Sequence, residues 1–190
     1  MASKYPGVSP YVYCVGNPVK YVDPDGKKIV VAKGSSSNFK DAVNMAIRHL
    51  YENKAHEIVQ QLINADFIIT IVETNAENGS YRTNNTITWN PYVGFIMENG
   101  TIISPTTVLN HEFDHALQAN INKQQFKDDV KTRDFDYGNK EERRVIENSE
   151  QITAIKLNEI EKTEVTRKNH KILSTVVTQS PISNKLYGEE

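Results

Sequence analysis

Cysteine is almost absent from these 190 residues, and a lone Cys14 can form neither an internal disulfide nor a thiolate metal cluster. Its simplest role is that of a small apolar filler. Long apolar runs are missing too. None approaches the roughly eighteen residues of a membrane span, and the amino terminus lacks the charged-then-apolar layout of a signal peptide, so any export would depend on residues outside these. Charge of one sign is also lacking: 22 Lys and Arg against 24 Asp and Glu leave a net charge of -2, spread without like-charge blocks. That balance suits no phosphate backbone and disfavours a nucleic-acid partner. No internal repeat occurs, and no low-complexity tract beyond a short serine run. What remains, 38% hydrophobic and 24% charged residues, describes a globular chain long enough for one domain with its own core.

Proline, glycine and tyrosine crowd the first 37 residues. Pro6, Pro10, Pro18 and Pro24 exclude helix there, "DPDG" is a strong turn signal, and "KGSSSN" reads as a flexible joint. The expected division is a leader and linker over residues 1–35, then a domain over 36–190. The leader phrase "YVYCVGNPVKYVDPDGKK" resembles the end of the conserved core in bacterial Rhs and YD-repeat proteins. Tyr11, Tyr13, Asn17, Pro18, Asp23, Pro24 and Gly26 hold the matching positions, while Gly16 replaces a frequent Asn and Lys27 a frequent apolar residue. The departure at Lys27 bears on the self-cleavage that some members perform near this point. The resemblance implies that the following residues form an effector domain carried by a larger secreted or surface protein.

Past the joint, Phe39, Ala42, Val43, Ala46, Ile47 and Leu50 fall on one helical stripe, with Ser37 or Asn38 as cap. "AHEIVQQLINA" continues helically, leaving His49 and His56 facing solvent. "DFIITIVE" reads as a buried strand, "SYRTNNTITW" as a hairpin turning at Asn84 and Asn85, and "NPYVGFIMENGTIIS" as a further loop and strand. The tail "STVVTQSPISNKLYGEE" fits either a strand pair or a segment crossing a cleft.

The chemistry concentrates in "HEFDHALQA", residues 111–119. Ser104 and Pro105 start a helix, since Ser caps free amides and Pro needs no donor partner in the first turn. Leu109, Phe113, Ala116 and Leu117 then form its core face. Val108, His111, Glu112, His115 and Ala119 line another. Histidines at i and i+4 lie one turn apart and can converge on a single Zn²⁺, while the carboxylate of Glu112 can reach a water on the metal's open side. With five His and fifteen Glu in the chain, roughly 0.01 such motifs arise by chance.

A catalytic zinc usually takes three protein ligands. Ile121 and Gln118 occupy the places where extended motifs carry a third His or an Asp, so a carboxylate from a later helix remains. "NKEERRVIENSEQITAIKLNEIEK" offers one. Glu142 shares the face of Val145 and Ile146 and is the first choice, followed by Glu150, then Glu141 and Glu147. Trp89 is a candidate for lining a substrate pocket. His170, Tyr137 and Tyr187 are donors of the type that stabilises an oxyanion, and Asp134 or Asp136 could orient a bound imidazole.

"LNHEFDHALQA" followed by "EERRVIENSEQITAIKLNE" is similar to the zinc metallopeptidase domains found as toxin tips on Rhs proteins, and more distantly to NleD-like effector proteases. The resemblance implies an α+β, zincin-like fold: a small mixed sheet, an active-site helix and a downstream ligand-bearing helix. It implies His111 and His115 as Zn²⁺ ligands, Glu112 as general base and Glu142 at the position of the downstream ligand. The activity that the resemblance implies is that of an endopeptidase acting on a protein or peptide substrate, within a target cell and opposed by a cognate immunity protein. A non-catalytic, zinc-binding or partner-binding tip domain is the alternative. A nuclease toxin on the same carrier is a weaker rival, because no basic stripe is present.

Overall fold

In the computed structural model the described residues are 28–76, 80–82, 84–172 and 174–188. The leader signature and Cys14 lie outside them. The stripe from Phe39 to Leu50 forms one face of helix α1 (Ser37–Glu52), and all six of its apolar residues are buried. Its cap is Ser36, one residue earlier than expected: Ser36 Oγ accepts from the Phe39 amide at 3.1 Å. Glu73 explains the choice, since its carboxylate accepts from the Ser36 amide at 2.9 Å and from its hydroxyl at 2.8 Å. The serine run therefore ties the start of α1 to the sheet.

Glu73 ends strand β2 (Ile69–Glu73), which runs parallel to both β1 (Ile29–Val31) and β4 (Thr86–Trp89). β4 pairs antiparallel with β3 (Ser80–Arg82), giving the order β1-β2-β4-β3 with β3 at an edge. The hairpin turns through Asn85 at φ 60°, a left-handed conformation that Asn tolerates. β1 precedes the boundary expected near residue 35. Its three β-branched residues join the sheet through pairing with β2, so that strand belongs with the domain rather than with the leader.

A second sheet places β5 (Val93–Ile96) between β6 (Ile102–Ile103) and the tail strand β9 (Ser174–Val177). Gly94 is required there, because a Cβ would stand 2.5 Å from the Ile103 carbonyl oxygen. The tail then turns back, and the Pro181 carbonyl accepts from the Thr106 amide and hydroxyl at 3.0 and 2.7 Å. It braces the start of helix α3 (Pro105–Ile121).

The main core fills the space between the first sheet and helices α1, α2 (Glu57–Ile63) and α3. Trp89 lies in that core, not in a substrate pocket. It is fully buried, its ring centroid 5.9 Å from that of Phe39, and its indole N–H donates to the Pro105 carbonyl at 2.9 Å. His49 and His56 are half-buried rather than solvent-facing, and His56 stacks on Tyr51 with ring centroids 4.3 Å apart. Beyond α3 come α4 (Lys123–Lys131), the short pair β7 (Arg133–Asp134) and β8 (Gly138–Asn139), and α5 (Lys140–Val145). A π-helical turn (Ile146–Glu150) links α5 to α6 (Gln151–Lys156). The architecture is mixed α+β. Among the described residues no helix is long and apolar enough to cross a membrane.

Candidate metal centre

Helix α3 begins as its sequence predicts, with Ser104 Oγ accepting from the Thr107 amide at 3.3 Å and Pro105 in the first turn. Every residue from Pro105 to Leu117 is buried, including Asn110, His111, Glu112, Asp114 and His115. Burying that many polar groups is costly unless each finds a partner. The partners come from β3 and from the segment after β8. The Tyr81 amide donates to Glu112 Oε2 at 2.6 Å. Asn110 Nδ2 donates to Thr153 Oγ1 at 2.8 Å, and Arg144 Nη1 donates to both oxygens of Asp114 at 3.0 Å.

The two histidines are held in parallel ways. His111 Nδ1 donates to Glu150 Oε2, and His115 Nδ1 donates to Glu141 Oε1, each at 2.9 Å. Each carboxylate is gripped in turn by an arginine. Arg167 Nε donates to Glu150 Oε1 at 2.9 Å, while Arg144 Nη2 and Nε donate to the two oxygens of Glu141 at 2.8 Å. A protonated Nδ1 leaves Nε2 as the lone-pair nitrogen of a neutral ring. Those two Nε2 atoms face each other at 3.0 Å. Glu142 completes the cluster, with Oε1 3.3 Å from His115 Nε2 and Oε2 3.5 Å from His111 Nε2.

Ligand atoms of His111, His115 and Glu142 all lie within 4.8 Å of one another, so this cluster can hold a metal ion. Three electron-pair donors turned on one point, two imidazole nitrogens and a carboxylate, make a donor set that fits a divalent cation. The local electrostatics express the same demand for positive charge. Burial opposes protonation of His115, yet the hydrogen bonds it donates to Glu141 and Glu142 outweigh it and hold its pKa at about 10. His111 is raised in the same way, against burial, by Glu142 and Glu150. Burial would raise Glu142, but its contacts with His111 and His115 hold it well below the usual carboxylate range. Glu150 sits at about 2, because the Arg167 charge and the His111 hydrogen bond overcome its burial.

A π turn sets this arrangement. In an uninterrupted α-helix, residues 142 and 150 would point roughly 80° apart at about 100° per residue. The extra residue of a π turn takes back about one such step, leaving the two on nearly one face. Side chains satisfy carbonyls along the distorted stretch: Asn148 Nδ2 donates to the Arg144 carbonyl and Thr153 Oγ1 to that of Ser149, both at 2.6 Å.

The structure thus brings together His111, Glu112, His115 and Glu142. Glu150 and Glu141, the rivals to Glu142 as ligand, stand instead on the far nitrogens of the two rings. Glu147 is exposed and pairs with Arg143 at 3.1 Å. Of the oxyanion candidates, His170 lines the cleft with Nε2 3.6 Å from Glu142 Oε2. The Tyr137 ring is buried beneath the Arg143 guanidinium at 5.5 Å. Tyr187 is 77% exposed and joined through its amide to the Val177 carbonyl. Asp134 orients no imidazole; its Oδ1 accepts from the Asp136 and Tyr137 amides at 3.0 Å, closing a turn. Asp136 uses its carbonyl to accept from the His170 amide at 3.1 Å. Sequence reasoning missed Arg144, Arg167 and Tyr81. Only Arg144 carried a local signal, its i+3 spacing from Glu141.

These groups open onto a cleft of about 750 Å³ that also receives Tyr81, Phe126, Val130, His170 and Lys171. Fold and site define a mixed α+β domain with a buried two-histidine, one-glutamate cluster at the floor of a cleft. Residues 23–173 match the model of the family Peptidase M91, effector protein, and the chain belongs to that family. Membership indicates a peptidase, hence a hydrolase with a protein substrate, and an effector that acts on a host or target cell. No match was found among curated proteins or among solved structures.

Proposed function

We propose that the chain is a zinc-dependent endopeptidase of zincin type, acting as the toxin domain of an Rhs-type carrier. The observation that carries the catalytic reading is the convergence of His111 Nε2, His115 Nε2 and the Glu142 carboxylate beside Glu112 in the cleft of a peptidase-family chain. Two nitrogens and one carboxylate oxygen are ligands that zinc favours, and three protein ligands leave a position for substrate or water. The leader phrase from Tyr11 to Gly26 supports the carrier. In this reading His111, His115 and Glu142 are the ligands.

Bound zinc would supply Lewis acidity to the scissile carbonyl and acidify water at the site. The remaining work falls to side chains of this chain. Glu112 is anchored by the Tyr81 amide at the rim of the cleft, where its carboxylate takes the proton of the attacking water and later passes it to the leaving amine. The His170 backbone is tied at both ends, its amide to the Asp136 carbonyl and its carbonyl to Arg167 Nη1 at 3.2 Å. Its imidazole stands at the cleft as an N–H donor for the carbonyl oxygen as charge develops there. β3 is an edge strand, and the outward amide of Tyr81 marks the side on which a peptide adds in extended form.

The test measures zinc per chain and peptide-bond cleavage for wild type and Glu112→Gln. Wild type is expected to carry close to one zinc and to cleave; the variant is expected to keep zinc and lose on the order of 10²- to 10⁴-fold in rate. Stoichiometric zinc with no cleavage by wild type would favour a binding module instead.

A further inference from the structure

One end of the cleft is apolar for reasons that the metal cluster does not explain. α4 buries none of its residues, yet it places Phe126 and Val130 one turn apart on a single face. Both line the cleft together with Tyr81. The Tyr81 and Phe126 rings meet edge to face, with centroids 6.2 Å apart and planes at 81°. Val130 is 44% exposed and Phe126 partly so. The rest of α4 is Lys, Gln and Asp, with Gln124 and Gln125 hydrogen-bonded to Asp128 and Asp129 along the helix. Its apolar side therefore faces the cleft while its polar side is satisfied by neighbours on the helix itself.

We propose that Tyr81, Phe126 and Val130 form a specificity subsite that takes one bulky apolar side chain, of the Leu, Met or Phe class, from a residue flanking the scissile bond. This rests on the peptidase reading above. The occupant follows from continuity: Tyr81 supplies the subsite wall with its ring, while its amide marks the edge along which an extended peptide would run, and it bonds the carboxylate of Glu112. A peptide on that edge projects alternate side chains to opposite faces. One of them meets the α4 wall. The aromatic pair provides a large, stiff apolar surface, whereas an acidic or small side chain would leave that surface uncovered.

The experiment has two arms, both using a degenerate library of capped ten-residue peptides. In the first, metal-loaded wild type cleaves the library and the residues flanking each cut are sequenced. One flanking position is expected to favour Leu, Met or Phe over Ala by roughly 10- to 100-fold in kcat/KM, and Phe126→Ala should compress that ratio toward one. In the second, peptides retained by zinc-loaded Glu112→Gln are compared with those retained by Glu112→Gln carrying Phe126→Ala or Val130→Asp, and the apolar enrichment should disappear in both. Because α4 buries no side chain, these variants are expected to melt close to their parent, which separates lost selectivity from unfolding. Cleavage with no apolar preference at either flanking position overturns the subsite and keeps the peptidase. Apolar-selective retention with no cleavage keeps the subsite and removes the peptidase. Equal enrichment by the Phe126→Ala variant overturns the assignment to α4.

Discussion

His111 and His115 each commit one ring nitrogen to a carboxylate that an arginine holds in place, and this second tier decides how precisely the other nitrogen is aimed. A carboxylate on the far nitrogen fixes the tautomer, restricts ring rotation and raises the basicity of the ligating atom. Glu150 and Arg167 serve His111, and Glu141 and Arg144 serve His115. Glu150→Gln retains an acceptor for the His111 N–H but loses the charge that faces Arg167. Zinc affinity is expected to fall by roughly 10- to 100-fold, the cost typical of outer-tier substitutions. Glu142→Ala, which removes an atom from the cluster itself, should cost more. Competition titration against a chelator of known affinity measures both, and a larger loss from Glu150→Gln would exchange the roles of these two glutamates. At this scale the histidine pair and Glu142 were legible, because i+4 and i+3 spacings are local geometry that any helix imposes. Arg167 and Tyr81 were not. Arg167 lies 56 positions beyond His111 and Tyr81 lies 31 before Glu112, and only the tertiary fold relates residues so far apart.

Elements built on an unbroken hydrophobic period were read almost residue by residue, as α1 shows: all six expected core positions are buried. The downstream helix departs from one continuous α-helix. A regular helix would place Ile152 on the face of Val145, seven residues earlier, yet Ile152 is 50% exposed while Val145 and Ile146 are buried. The π turn from Ile146 to Glu150 accounts for the difference, because it inserts a residue and rotates everything after it. Nothing in "IENSE" announces such a turn. Asn148 donates to the carbonyl of Arg144 just before the turn and Thr153 to that of Ser149 within it, and both would be unremarkable polar residues in a regular helix. This makes a test at the level of the element. Deleting the exposed Asn148 should remove the extra residue and return the segment to α-geometry, which leaves Glu150 seven steps from Glu142, about 20° apart at about 100° per residue and still turned to His111. We expect a protein that still folds, seen by circular dichroism, with zinc affinity reduced by less than the roughly 10-fold that marks the loss of an outer partner. A loss as large as that of Glu150→Gln would show that the π turn does more than take up one residue.

For the molecule as a whole, the start of α3 is where the sheets, the tail and the segment after α6 meet, and a further carboxylate is tucked in there on a residue that is partly exposed as a whole. Thr107 Oγ1 donates to Glu159 Oε2 at 2.8 Å, while Oε1 is buried with no hydrogen-bond partner. Burial is the largest influence and drives the Glu159 pKa up from 4.5 to about 7, despite the polar groups of Ser104 and Thr107. The sign of the consequence is fixed by proton counting. Between 4.5 and about 7 the native state holds a proton that the unfolded chain has released, so stability falls as pH rises through that window. The contribution is complete below the unfolded value and lost above the folded one. Its size is on the order of 2 kcal/mol, given that the residue is partly exposed and screened by solvent. Glu159→Gln removes the titration while keeping the shape. Melting wild type and variant side by side, both zinc-loaded, should give curves that lie closest near pH 5 and separate toward pH 8.5, with the variant gaining relative to wild type as pH rises. Parallel curves would mean that Glu159 is as well solvated in the native state as in the unfolded chain. Because the difference between the two proteins is read at each pH, titrations shared by both, those of the histidine cluster included, largely cancel. A slope that survives in the difference therefore belongs to the carboxylate at the head of α3.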